Sequence, residues 1–419
     1  MSDYSFPSRK NISSGNHFGR VLELIDKNKS DENSSPKNKF EIIILIEDQI
    51  YQLKIKKFPK IPEGAFVSFN IDTNFFVENI KIEQIPFYFN PNGDVTRWRR
   101  PSKNPSRMML LRMRYELIYG IREWFFKKEF IETETPFLVK APSLEPQISP
   151  FKTGSEFLIS SPEFQMKRLL VGGFEKIFQV ARCYRRDEIG SQHNPEFTML
   201  EWYRSGEKLE VLINDIEQLV VYIIEKVKGK KFKHVPLPPW PRVRLRDLFK
   251  EHLGIVLDGQ ETVEKLIEKT KNSGNEEILK KMTKSSNYDS SHDYENIFYI
   301  LWNEIEKNLP KSIPLFVYEW PSRLSSLARF FSENPGFVDR VELYVNSMEI
   351  ANGYGELTNS VEQRLRFEEN LKRRNSLGLD SLPTDEKFLT SLEHGLPNCS
   401  GMALGVDRLI MWLCNVNHI

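Results

Sequence analysis

The sequence predicts an α+β protein, an antiparallel sheet flanked by helices with a small β-barrel-like domain before it. Three observations predict this class. Between Phe18 and Ile85 apolar and polar residues alternate, the period-two signature of short, half-buried strands. Later strand-like segments mostly follow one another without a crossover helix, which favours antiparallel pairing over a doubly wound sheet. Helical periodicity occupies separate stretches, the first carrying Leu110, Met113, Leu117, Ile121 and Phe125 at the spacing of one buried helix face.

Residues 1–16 read as a disordered polar tail with no apolar signal core. In 17–85, Tyr51, Leu53 and Ile55, then Val67, Phe69 and Ile71, then Ile80 and Ile82 alternate with polar residues. A Ser/Asn/Lys-rich loop, 28–39, separates the first strands, and the whole suits an OB-like barrel. Residues 86–106 form a Pro- and Asn-rich linker with Arg97, Arg99 and Arg100 around Trp98, a solvated knot or a phosphate-backbone contact. The main domain spans 107–419. After its first helix, Phe130–Pro136 reads as a strand stopped by proline. Ile177–Arg185 and Phe197–Tyr203 form a hairpin with a long polar loop, 187–196. A helix over 209–227 precedes a polar helical insertion at about 255–312 that is broken by low-complexity residues 283–293. One strand is expected near 315–318 and one across 340–350, then a helix over 361–377 and a strand-turn-helix from Ser400 to Leu413.

A formal net charge of +1 excludes the broad basic field of a protein that grips nucleic acid mainly through phosphates, leaving at most a local contact. Cys183, Cys399 and Cys414 are odd in number and widely spaced, which speaks against a disulfide framework or a structural zinc. No apolar run is long enough to span a bilayer, so a cytoplasmic protein without a membrane partner is expected. His17-Phe-Gly-Arg20 and Lys281-Met-Thr-Lys-Ser285 resemble the HIGH and KMSKS loops of class I aminoacyl-tRNA synthetases. His17 follows coil rather than a buried parallel strand, and the second segment runs into a Ser/Asn loop, so both read as chance. There is also no P-loop and no GxGxxG. A nucleotide must be held another way.

Arginines and a metal on a sheet face offer that way. Arg185 ends the first hairpin strand, while Glu201 and Tyr203 share one face of the second. A guanidinium suits phosphate because its planar fork donates two hydrogen bonds and stays charged. In Glu349-Ile-Ala-Asn-Gly-Tyr-Gly-Glu356, two carboxylates flank two glycines, an arrangement able to hold magnesium bridging ATP phosphates. Ser400-Gly-Met-Ala-Leu-Gly-Val-Asp-Arg408 reads as a small-residue strand turning into a buried helix, with Arg408 at the anion-favouring helix start and Asp407 able to cap the helix or orient the arginine. Taken alone, each has a structural reading at least as good: a surface arginine at a strand end, a turn with solvated glutamates, and a strand-to-helix turn.

Together they resemble the signature motifs of class II aminoacyl-tRNA synthetases of the lysyl branch. The helix and strand ending at Pro136 resemble motif 1, the dimer-forming element; Arg185–Tyr203 resembles motif 2 and Gly401–Arg408 motif 3. The likeness is closer to the PoxA/GenX-type ligases that modify elongation factor P. It is carried by Ser161-Pro-Glu-Phe-Gln-Met-Lys-Arg-Leu-Leu170, His193-Asn-Pro-Glu-Phe-Thr-Met-Leu-Glu-Trp-Tyr203 and Cys399–Arg408, and covers about Arg107 to the C-terminus.

The resemblance implies an ATP site of Arg185, Arg186, Asp187, Asn194, Glu349, Ile350, Gly405 and Arg408. Arg185 would hold the α-phosphate, Arg408 the γ-phosphate, and Glu349 the Mg2+. Ser161, Pro162, Glu163, Tyr203, Glu356 and Ala403 would bind the amino acid. Alanine at 403, where lysyl-tRNA synthetases usually carry glycine, would favour a different lysine isomer such as β-lysine. Asp187 departs from the family's motif 2 glutamate, and Glu188 is the alternative. The implied activity is ATP-dependent activation of lysine or β-lysine and transfer to a lysine side chain of elongation factor P, in a homodimer formed through the motif 1 helix. Two rival readings stay open: a lysyl-tRNA synthetase, with tRNA as acceptor, and a non-catalytic paralogue acting as a binding module.

Overall fold

A computed structural model describes residues 12–26, 40–46, 49–86, 107–190, 193–227, 232, 234–280 and 293–416. The knot at Arg97–Arg100 and the Lys281–Ser285 segment lie outside them. The chain divides into two units, residues 1–115 and 116–419.

In the first unit, β1 (Gly15–Asp26), β2 (Phe40–Ile46), β3 (Gln49–Ile55), β4 (Phe66–Ile71) and β5 (Phe76–Gln84) close into a barrel of order β1-β2-β3-β5-β4. The alternation in β3 and β4 does what period two demands: Leu53, Ile55, Val67, Phe69 and Ile71 are buried in the barrel core. It fails at Ile82, which is 38% exposed although it pairs with buried Val67, near the end of β5. β1 starts at Gly15, inside the expected tail, and contains His17 and Arg20. A strand paired on both sides has no nucleotide-binding turn.

The second unit is built on an eight-stranded sheet of order β12-β13-β14-β15-β16-β11-β10-β6. Its strands are β6 (Ile131–Glu132), β10 (Lys176–Tyr184), β11 (Glu196–Ser205), β12 (Arg242–Arg244), β13 (Leu315–Pro321), β14 (Phe337–Val345), β15 (Met348–Gly355) and β16 (Cys399–Gly405). All pairings are antiparallel except those of the two edge strands. A three-stranded sheet, β7 (Leu138–Val139), β8 (Lys152–Thr153) and β9 (Glu156–Leu158), lies earlier in the chain. The single strand expected over 340–350 is two strands, because Asn346 and Ser347 both adopt positive φ (54° and 57°), the geometry of a tight hairpin turn. Glu349–Glu356 is therefore mostly strand and not a loop.

The helices are α1 (Arg107–Lys127), α2 (Glu163–Val171), α3 (Leu209–Lys226), α4 (Leu245–Leu253), α5 (Val263–Asn272), α6 (Glu276–Lys280), α7 (Tyr294–Glu306), α8 (Ser360–Ser376), α9 (Glu386–Glu393) and α10 (Val406–Cys414). α1 covers the rear face: Phe125 stacks on Phe178 at 4.5 Å and meets Trp202 edge-on at 5.6 Å. α3 is held by Arg204 of β11, whose Nε and Nη2 donate to the two oxygens of Asp215 at 2.7 and 2.8 Å, both residues buried. The insertion helices α4–α7 lie between β12 and β13. Phe249, Phe298, Leu301 and Trp302 pack with Val317, Trp320 and Tyr344 of the sheet.

Candidate active site

Strand register builds the floor of the site. Directly opposed residues share a face, and the pairings Gln179–Glu201, Glu201–Ala403, Ala403–Asn352 and Asn352–Glu342 draw one row across five strands. A second row runs Ile177, Tyr203, Gly401, Tyr354 and Arg340. Above them lies a cavity of about 540 Å³ lined by Glu201, Ala403, Asn352 and Glu342, among others.

At one end two arginines converge. Arg185 lies over the Phe197 ring at 5.2 Å and donates from Nη1 to Glu188 at 3.1 Å. Arg408, in the first turn of α10, donates from Nη1 to the Glu349 carbonyl at 2.6 Å and from Nη2 to the Nε2 of His193 at 2.6 Å. Burial and the adjacent Arg408 hold the His193 imidazole below its ordinary pKa, the neutral form that accepts this bond. Asp407 accepts from the Thr198 amide at 2.7 Å, tying α10 to β11. Arg185, Glu188, His193, Asn194, Glu349, Ile350, Gly405 and Arg408 all line the cavity.

At the other end is a carboxylate-rich pocket. Ser161 donates to Glu201 Oε1 at 2.6 Å. The other oxygen of Glu201 has no hydrogen-bond partner among the described residues, although the side chain is 2% exposed. Burial, then the neighbouring Glu163, pushes this carboxyl up to about 8. An orphaned buried acceptor facing a cavity is costly, and a cationic guest would relieve it. Ser161, Glu163 and Ala403 line this end. α7 supplies a further wall through Glu295, Tyr299, Trp302, Asn303 and Glu306, positions that share one helix face. Burial, then Glu349, raises Glu306 to about 7.

Five of the sequence-derived site residues fall outside the lining. Arg186 and Asp187 sit on the hairpin loop with side chains turned to each other at 3.3 Å; the Ser149 hydroxyl, then Arg186, holds Asp187 below the usual carboxylate range. Glu188 faces the cavity instead. Pro162 caps α2. Tyr203 and Glu356 are 3% and 1% exposed, and Glu356 Oε2 is 2.5 Å from the Lys167 ammonium. The idea that Glu349 and Glu356 pair on one metal ion is corrected by β15 itself. An extended strand advances roughly 3.3 Å per residue, so seven residues separate them by roughly 23 Å. The residues missed in the sequence are Lys167, Glu306 and Glu342. Glu201 was visible only as a face-sharing neighbour of Tyr203, and α7 is separated from the motifs along the chain.

An antiparallel sheet with two arginines over one end of a shared cavity defines a class II synthetase-type catalytic domain, and residues 96–419 match the family of class II tRNA synthetases (D, K and N). The chain is also similar to proteins named elongation factor P–(R)-β-lysine ligase. It is 33% identical over 338 residues to that of Proteus mirabilis (strain HI4320), covering 78% of this chain and 96% of the relative. It is 34% identical to that of Klebsiella pneumoniae (strain 342), with 76% and 94% covered, and 36% identical to that of Avibacterium paragallinarum, with 76% and 96% covered. The chain belongs to the elongation factor P–(R)-β-lysine ligase family, a branch of the class II synthetases.

Proposed function

We propose that this protein joins lysine or β-lysine to ATP as an aminoacyl-adenylate and transfers it to a lysine side chain of elongation factor P. The single observation that carries the reading is the shared cavity, with Arg185 and Arg408 at one end and the orphaned Glu201 oxygen at the other. The first end fits a triphosphate, the second an ammonium group.

The amino-acid carboxylate attacks the α-phosphorus in line and pyrophosphate leaves. Arg185 holds the α-phosphate and Arg408 the γ-phosphate, offsetting charge that builds in the transition state. Glu201 and Glu163 bind the ammonium end, so the carboxylate is presented toward Arg185. An amine of the acceptor then attacks the carbonyl and AMP leaves. Positioning and electrostatics suffice, with no protein nucleophile. Glu349 would hold Mg2+, which neutralises phosphate charge when bound. Among the described residues there is no group of three or more His, Cys, Asp or Glu side chains placed to hold a metal ion.

The surface of the second unit supports a homodimer through α1: Tyr119 and Phe126 are 61% and 54% exposed, as are the nearby Ile131 and Leu138 at 52% and 43%, large apolar side chains that a partner would cover. Among the described residues no helix is long and apolar enough to cross a membrane, and a translation-linked ligase belongs in the cytoplasm.

The test is pyrophosphate exchange run in parallel with α-lysine and β-lysine, followed by transfer to elongation factor P or to total tRNA. Exchange with either isomer and label on elongation factor P is expected. Label on tRNA alone would replace the acceptor, and no exchange with either isomer would leave a binding module.

A further inference from the structure

Lys167 is an unusual side chain to bury. It lies on α2 and its side chain is 1% exposed, yet the activity proposed above gives it no task. Its ammonium lies 2.6 Å from Glu163 Oε1 and 2.5 Å from Glu356 Oε2. Glu163 borders the cavity beside Glu201, whereas Glu356 is 1% exposed and does not line it. Three carboxylates from α2, β11 and the end of β15 thus crowd around one internal cation. Gly401 makes this crowding feasible: a Cβ there would stand 2.3 Å from Glu356 Oε1 and 2.3 Å from the Tyr203 ring.

Buried charges have to be matched. Once ionised, three carboxylates and one ammonium leave the pocket two positive charges short. A diamino acid such as lysine or β-lysine brings two ammonium groups, while its carboxylate points to Arg185. We propose that Lys167 is a specificity-determining positioning residue, the internal counter-ion that clamps Glu163 to Glu356 and leaves the pocket short of the charge of one diamino acid. This rests on the activity proposed above and names what selects its substrate.

The electrostatics agree with the geometry. Burial alone would lower Lys167, but Glu163 and Glu356 outweigh it and hold the ammonium protonated. Even so, burial keeps Glu163 above its ordinary value and pushes Glu356 up to about 8. The other groups acting on the cluster are Glu145, Arg329, Tyr203 and Cys399. Lys167 lowers both Glu201 and Glu356, so without it these carboxyls would keep their protons to still higher pH and lose their hold on a cationic guest.

The experiment is amino-acid-dependent pyrophosphate exchange by the full chain with lysine and β-lysine. In Lys167→Met, KM for the amino acid should rise at least about tenfold at pH 7, the effect of one unit of carboxyl protonation. It should fall back toward wild type by pH 8.5, while KM for ATP stays within about twofold. In Lys167→Ala, n-propylammonium should restore part of the lost affinity and n-propanol should not. An amino-acid KM within about twofold of wild type at both pH values overturns the inference, as does a parallel rise in both KM values with no amine rescue. If Lys167→Met fails to fold, the amine rescue of Lys167→Ala decides; if Lys167→Ala fails, the pH dependence of the amino-acid KM in Lys167→Met decides. Wild-type protein that exchanges with neither isomer refutes the activity itself, and so is distinguishable from a failure confined to the variants.

Discussion

Replacing Glu201 by glutamine tests the amino-acid end of the cavity most directly. Glutamine keeps the shape of the side chain and keeps an oxygen to accept from Ser161, so the 2.6 Å bond and the strand pairing persist. It removes the charge and places an amide where the orphaned carboxylate oxygen faces the cavity. What is lost is one charge-assisted hydrogen bond to a substrate ammonium, worth about 1.5–3 kcal/mol. Each 1.4 kcal/mol is about tenfold, so kcat/KM for the amino acid in pyrophosphate exchange should fall about 10- to 150-fold, with KM for ATP little changed. Circular dichroism and a thermal melt would establish that the variant is folded. A folded Glu201→Gln enzyme within about threefold of wild type would show that no ammonium binds at this oxygen, and with it the assignment of the two cavity ends would fall.

Arg185→Ala should stay folded and lose about 10²- to 10³-fold in pyrophosphate exchange, the usual loss on removing one preorganised donor to a developing charge; retained exchange would take this residue out of the chemistry. Arg204→Met strands the buried Asp215 carboxylate, and chemical denaturation should show a loss of about 3–5 kcal/mol. A loss below about 1 kcal/mol would mean that the pair is not clamping α3. The pH dependence follows from Glu201 and Glu356, both pushed up to about 8, and Glu342, pushed up to about 7, in each case chiefly by burial. Their folded values exceed the ordinary carboxyl value, so the folded chain binds more protons than the unfolded one from the ordinary range up to about pH 8. The stability they contribute is complete below the ordinary range and is lost as pH rises through 7 to 8. Thermal melts without substrate should show Tm falling between pH 6 and 8.5, and saturating lysine should shrink that fall; a Tm that rises over this interval refutes the argument.

The sequence by itself determined the local chemistry. Period-two alternation marked the barrel strands because one face of each is buried whatever the partner, and helical spacing marked α1 for the same reason. Contiguous motifs placed Arg185, Asn194, Glu349, Gly405 and Arg408, because a strand end or a helix start fixes where a side chain points from a few residues around it. Only the tertiary structure decided what depends on register and on distant segments. Cross-strand pairing put Glu201, Ala403, Asn352 and Glu342 in one row. The extension of β15 separated Glu349 from Glu356, which look like a pair on paper. Helix α7, brought in by the insertion, supplied Glu306, and the loop geometry exchanged Asp187 for Glu188. Lys167 looked like an ordinary helical lysine, since nothing in its neighbours in sequence reveals that folding removes it from water and sets it between two carboxylates. Burial and pairing are properties of three-dimensional packing, and there the charge balance of the pocket was fixed.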